Sequence, residues 1–118
     1  MNILILEDNE ERIKWFGKVY YNQTLHISKD IKFAMKLAKQ TEFDVIFLDH
    51  DLCEENLTSL NNGYEFVKQL VESGLQKQAV IYIHSMNPTG ANIMLNLLKS
   101  QCYEAQWIPF YLLKLEDR

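Results

Sequence analysis

Apolar positions along the chain alternate between two spacings. Short apolar runs occur in "NILIL" (Asn2–Leu6), "TLHIS" (Thr24–Ser28), "DVIFLDHDL" (44–52), "AVIYI" (79–83) and at 105–108, and each reads as a strand. Between them, apolar residues recur at helical spacing. In the first such stretch Asp8 or Asn9 is placed to cap a helix with Glu10 and Glu11 in its first turn and Ile13, Phe16, Val19 and Tyr20 inward. Ser28 or Asp30 opens a second helix, whose Ile31, Ala34, Met35 and Ala38 follow the i, i+3, i+4, i+7 rule. Gly63 precedes a third, with Tyr64, Val67, Leu70 and Val71 on one face and Gly74 as its stop. Asn87 and Pro88 are a cap and a first helical residue for a fourth. Beyond 108 the last helix is expected to be short or missing.

This alternation predicts one α/β domain over 1–118, with no internal repeat or linker. Right-handed crossovers between five parallel strands suit a flavodoxin-like doubly wound sheet of order 2-1-3-4-5. Ligands of such sheets bind outside the carboxyl ends of the strands, beside the point where the strand order reverses.

Composition narrows the class. A chain of 118 residues with 47% apolar content buries one core, and no apolar run approaches the roughly 20 residues that span a bilayer. The beginning "MNILILEDNE" carries no basic leader. Cys53 and Cys102 have no metal-finger or C-x-x-C spacing, so two reduced thiols in the cytoplasm are expected. A net charge of −4 argues against bulk DNA binding, and the row Lys29, Lys32, Lys36, Lys39 reads as a solvated helix face.

The strand ends hold the candidate chemistry. Glu7 and Asp8 follow the first strand, Asp49, His50 and Asp51 the third, and His84 and Ser85 the fourth. In the expected order these strands are neighbours about 5 Å apart, so the acids converge on one rim. Single acids there are ordinarily helix caps. Four together repel unless a cation joins them, and hard oxygen ligands suit Mg²⁺ or Mn²⁺, which makes Glu7, Asp8, Asp49 and Asp51 candidate metal ligands. By strand alternation His50 points away from Asp49 and Asp51, and a supporting role stands level with catalysis. His84 is a candidate proton carrier beside a helix start, its plain alternative being a buried histidine bonded to a backbone carbonyl. Arg12 is a candidate phosphate fork, with a surface pair to Asp8 or Glu11 as the alternative. Ser85, Asn87 and Gly90 are candidate phosphate binders at the fourth helix. His26 reads as structural.

"ILILEDNEERI", "VIFLDHDL" and "VIYIHSMNPTG" together resemble a response-regulator receiver domain, nearly over the whole chain. The resemblance puts Glu7 and Asp8 at the acidic pair, Asp49 at the phosphoaccepting aspartate, and Asp51 at the residue whose backbone carbonyl helps hold magnesium. More narrowly, D-H-D-L with H-S-x-N and an arginine after the acidic pair is similar to the cyclic-phosphate processing receiver domains. That resemblance implies a cyclic phosphate of a nucleotide or an RNA end as substrate; Asp49, His84 and Arg12 are the expected catalytic set. Two features depart from an ordinary receiver: Ile108, before Pro109, stands where receivers carry a phosphate-contacting lysine, and the 51–63 loop is longer. Lys114 comes too late to substitute, and His84 or Ser85 takes the place of the usual strand-four Ser/Thr. The expectation is a metal-dependent phosphoesterase or phosphate-binding module. A phosphoacceptor switch and a catalytically silent domain for a protein partner or homodimer are the alternatives.

Overall fold

The computed structural model describes residues 1–51 and 62–115. The elements follow in the order β1 (Asn2–Leu6), α1 (Glu10–Val19), β2 (Thr24–Ser28), α2 (Ile31–Gln40), β3 (Val45–Leu48), α3 (Gly63–Ser73), β4 (Val80–Ile83), α4 (Pro88–Ser100), β5 (Glu104–Trp107) and α5 (Phe110–Leu115). All five strands pair in parallel in the order β2-β1-β3-β4-β5, the expected doubly wound arrangement. The last helix is short, with six described residues. The expected long 51–63 loop, and with it Cys53, falls largely on residues 52–61, outside the described residues.

Local chemistry explains where the helices begin. The side chains of Asn9, Asp30, Asn62 and Asn87 each accept a backbone N–H three residues on, at 2.8–3.1 Å, satisfying donors that a helix start leaves open. Asn9 rather than Asp8 therefore caps α1. Asp30 rather than Ser28 caps α2, while the Ser28 hydroxyl donates to the Asp30 carbonyl at 2.6 Å. Gly74 ends α3 at φ 70°, a left-handed turn that costs glycine no Cβ clash. β5 starts and ends one residue earlier than the apolar run indicated. Its register on β4 runs from Val80–Glu104 to Ile83–Trp107, with Ala105 and Trp107 packed against the core.

Strand alternation divides the core between the two faces of the sheet. Leu4, Leu6, Ile46, Leu48, Ile81 and Ile83 pack under α2, α3 and α4. Ile3, Ile5 and Phe47 pack on the other face with Phe16 of α1 and Phe110 and Leu113 of α5. At the amino ends of the strands, Gln76 is buried with φ 63°; its amide accepts from Phe43 N at 2.9 Å and donates to the Ala38 carbonyl at 2.8 Å. This latch ties the α2–β3 connection to the segment after α3, at the end of the sheet away from the charged rim. No helix among the described residues is long and apolar enough to cross a membrane.

Candidate functional site

The register places three polar side chains in one row. Leu6 pairs with Leu48, and Leu48 with Ile83, so the next residues, Glu7, Asp49 and His84, lie side by side at the carboxyl ends of β1, β3 and β4. Bonds from Asp49 N to the Leu6 carbonyl (3.1 Å) and from His84 N to the Leu48 carbonyl (2.9 Å) carry the ladder one step past the strands. Since Leu6, Leu48 and Ile83 all face α2, α3 and α4, alternation turns the following three side chains toward α1 and α5. All three are buried, with ligand-type atoms within 4.8 Å of one another.

Glu7 and His84 form a buried pair, His84 Nε2 lying 2.8 Å from Glu7 Oε1, and neither side chain reaches solvent. Because a carboxylate only accepts, the proton of this bond belongs to Nε2. His84 Nδ1 has no hydrogen-bond partner, and Phe16, Phe47 and Phe110 meet the ring edge-on. Glu7 Oε2 accepts the N–H groups of Asp8 (3.1 Å) and Asn9 (3.0 Å). Burial alone would push the Glu7 carboxyl up, but the His84 hydrogen bond and charge, with the Asn9 N–H and Arg12, hold it below the usual carboxylate range.

Asp49 is pushed up to about 6, first by burial and then by the Glu7 charge beside it, against the opposing pull of His84, the His50 N–H and Arg12. Its Oδ1 accepts from His50 N at 2.8 Å. Arg12, one turn into α1, reaches both acids: Nη1 lies 3.6 Å from Glu7 Oε1 and 3.7 Å from Asp49 Oδ2. Its guanidinium rests 5.0 Å over the ring of Phe110. Arg12 thus faces the two buried acids at the strand ends. Phe110 had no place in the sequence reading. The available signal was an aromatic just after Pro109, on the face that α5 turns to α1.

The remaining candidates are placed differently. His50 turns to the opposite face from Asp49, as alternation predicts: a Cβ on Gly90 of α4 would come within 2.5 Å of its ring. Its Nδ1 lies 2.8 Å from Asp51 Oδ1, and the Asp51 side chain is 69% exposed, outside the buried cluster. Asp8, half-buried after β1, is not in that group of three. Ser85 is fully buried and its Oγ accepts from Asn87 N at 3.0 Å, while the Gly90 N–H already donates to Asn87. Trp107 Nε1 donates to the Ser85 carbonyl at 2.9 Å. Ile108 follows β5 and packs with the α1–α5 side of the core, so no cation enters from that strand. His26, half-buried on β2, lies edge-on to Phe43.

The donor set fits a hard cation. Two buried carboxylates share one guanidinium, which leaves excess negative charge at low dielectric, and carboxylate oxygens are the ligands that Mg²⁺ and Mn²⁺ prefer. His84 does not fit as a ligand, because its Nε2 is spent on Glu7 and its Nδ1 lies among aromatic rings.

The sheet order and the acidic rim define a receiver fold, and solved receivers superpose on it. The chain is similar to the Vibrio cholerae chemotaxis protein CheY4 (18% identity, TM-score 0.66, 98% of this chain and 95% of that one). It is similar also to the receiver domain of the Francisella response regulator 1452 (19%, 0.68, 97% and 88%). A Burkholderia pseudomallei response regulator, solved with a phosphorylated aspartic acid, a calcium ion and citrate, matches at 15% identity and TM-score 0.69, over 99% of this chain and 66% of that one. No curated protein matches. Within the receiver fold, the chain belongs to the cyclic-phosphate processing receiver domain family, which it matches over residues 2–100.

Proposed function

We propose that this domain binds a divalent cation, Mg²⁺ or Mn²⁺, at Glu7 and Asp49, with Asp8 and Asp51 at its margin, and hydrolyses cyclic phosphates of nucleotides or RNA ends. The observation that carries this reading is the guanidinium of Arg12 held between Glu7 Oε1 and Asp49 Oδ2, a cation-bridged acid pair on the rim where doubly wound sheets bind ligands. Family membership supports the substrate class.

A divalent cation on these carboxylates supplies polarisation of a phosphoryl oxygen. The chain's residues do the rest. Arg12 neutralises charge on the phosphoryl group. Asp49, whose carboxyl is pushed up to about 6, holds and releases a proton near neutral pH. His84 shares its Nε2 proton with Glu7, and so positions that carboxylate and sets the charge it offers. Ser85, Asn87 and Gly90 shape the α4 end of the rim, and His50 braces Asp49 through its N–H. In the reaction a water oxygen bonds to phosphorus and loses a proton to Asp49, the electron pair of the breaking P–O bond goes to the departing ribose oxygen, and Asp49 returns the proton to that oxygen, leaving a phosphomonoester. The test is release of monophosphate from 2′,3′-cyclic nucleotides and cyclic-phosphate-ended RNAs with Mg²⁺ or Mn²⁺. Turnover that disappears in Arg12→Ala and Asp49→Asn is expected, and no turnover across that panel withdraws the catalytic claim.

A phosphoacceptor role for Asp49 is the second reading, supported by the position of that acid at the end of β3 in a receiver fold.

A further inference from the structure

We infer that, given a divalent cation on Glu7 and Asp49 as proposed above, Arg12 is the resident counter-ion of that acid pair and competes with the metal for the same two oxygens. Glu7 Oε2 accepts the N–H groups of both Asp8 and Asn9, and Asp49 Oδ1 accepts that of His50. The oxygens turned to a cation on the rim are Glu7 Oε1, which keeps a second lone pair beside its bond to His84, and Asp49 Oδ2. These are the two that Arg12 Nη1 faces, at 3.6 and 3.7 Å.

Both separations exceed hydrogen-bonding distance, which for N–H to O ends near 3.2 Å. The guanidinium is thus a charge shared by two acids and not a fork locked onto one. Its side chain is 26% exposed, and the Phe110 ring beneath it supports a planar cation through a range of positions. A metal ion on the two oxygens would meet a like charge at close range, so its entry requires the guanidinium to swing off the pair. In metal-free protein, conversely, Arg12 keeps two buried carboxylates tolerable at neighbouring strand ends.

The experiment is Mn²⁺ titration, read by electron paramagnetic resonance of the free ion, together with melting curves in EDTA and in excess Mn²⁺, for the wild-type chain, Arg12→Gln, Arg12→Met and Asp49→Asn. Arg12→Met keeps an apolar stem over Phe110 if the glutamine variant folds poorly. Removing the competing charge is expected to tighten Mn²⁺ binding by roughly tenfold or more. Both Arg12 variants should melt below wild type in EDTA and recover most of the difference in Mn²⁺. Mn²⁺ affinity in the Arg12 variants equal to or below that of wild type overturns the inference. If Asp49→Asn leaves Mn²⁺ binding unchanged, or if neither wild type nor the Arg12 variants bind the ion, the metal site itself falls and the inference with it. Weakened binding in Asp49→Asn without tightening in the Arg12 variants removes the inference alone.

Discussion

Asp49 sits where little solvent reaches, and its raised carboxyl ties stability to pH. The native state keeps a proton on it up to about 6, whereas the unfolded chain releases that proton near the ordinary value of 3.8. Between those values the folded form binds more protons, so stability falls as pH rises through the window and stays lower above it. The span of about two pH units corresponds to on the order of 3 kcal/mol. In metal-free protein Asp49→Asn should therefore raise the melting temperature at pH 7.5 and flatten the slope between pH 4 and 6. A variant that melts lower than wild type at pH 7.5, with the slope intact, would contradict this account of the site. His84 makes the converse case. Removing it with His84→Ala strands the buried Glu7 carboxylate and leaves a hole among three aromatic rings, a loss of about 3–5 kcal/mol in urea unfolding. His84→Gln, which retains a donor for Glu7, should restore much of it.

Among the elements, the contact between the end of β3 and α4 is a close test of the arrangement. His50 lies so close to Gly90 that even a methyl group there would meet ring atoms at 2.5–2.7 Å. Gly90→Ala is expected to push the imidazole outward, to disturb its bond to Asp51, and to destabilise the domain by about 1–3 kcal/mol despite alanine's better helix propensity. An unchanged melting temperature would mean that the ring has room the structure does not show. Much at this scale was legible in the sequence. The buried face of α2 (Ile31, Ala34, Met35, Ala38) is the i, i+3, i+4, i+7 set itself, and Asn87 with Pro88 marks the start of α4. The faces of α1 and α3 were harder. Of the four positions expected inward in α1 only Phe16 is fully buried, and in α3 Phe66 is buried where Tyr64 and Val71 are only half covered. Helical period alone does not fix the angle at which a helix lies on a twisted sheet. The strand-end acids were visible as a group, but the Glu7–His84 bond joins residues 77 positions apart, and only the β1-β3-β4 register brings them together.

Across the whole molecule, the receiver fold is present without a cation from β5. Ile108 packs into the α1–α5 side of the core, and the positive charge beside Asp49 comes from α1 instead. Among the described residues the salt-bridge partner of Asp49 is the guanidinium already shared with Glu7, so an acyl phosphate formed there would share that cation. Incubation with acetyl phosphate and Mg²⁺ is expected to give little stable adduct by intact-mass spectrometry. A durable gain of one phosphoryl group, abolished by Asp49→Ala, would promote the phosphoacceptor reading over the hydrolytic one.

The row Glu7, Asp49, His84 is specified by parity. Each residue faces α1 and α5 because it stands an odd number of steps beyond a side chain that faces α2, α3 and α4, and the three strands run in register. The connections between strands can gain or lose residues at a closure cost that grows only with the logarithm of their length. Within β1, β3 or β4 the rule is different: a single inserted or deleted residue sends one member of the row through the sheet to the other side. Length variation in this chain is thus nearly free outside the strands and binary within them.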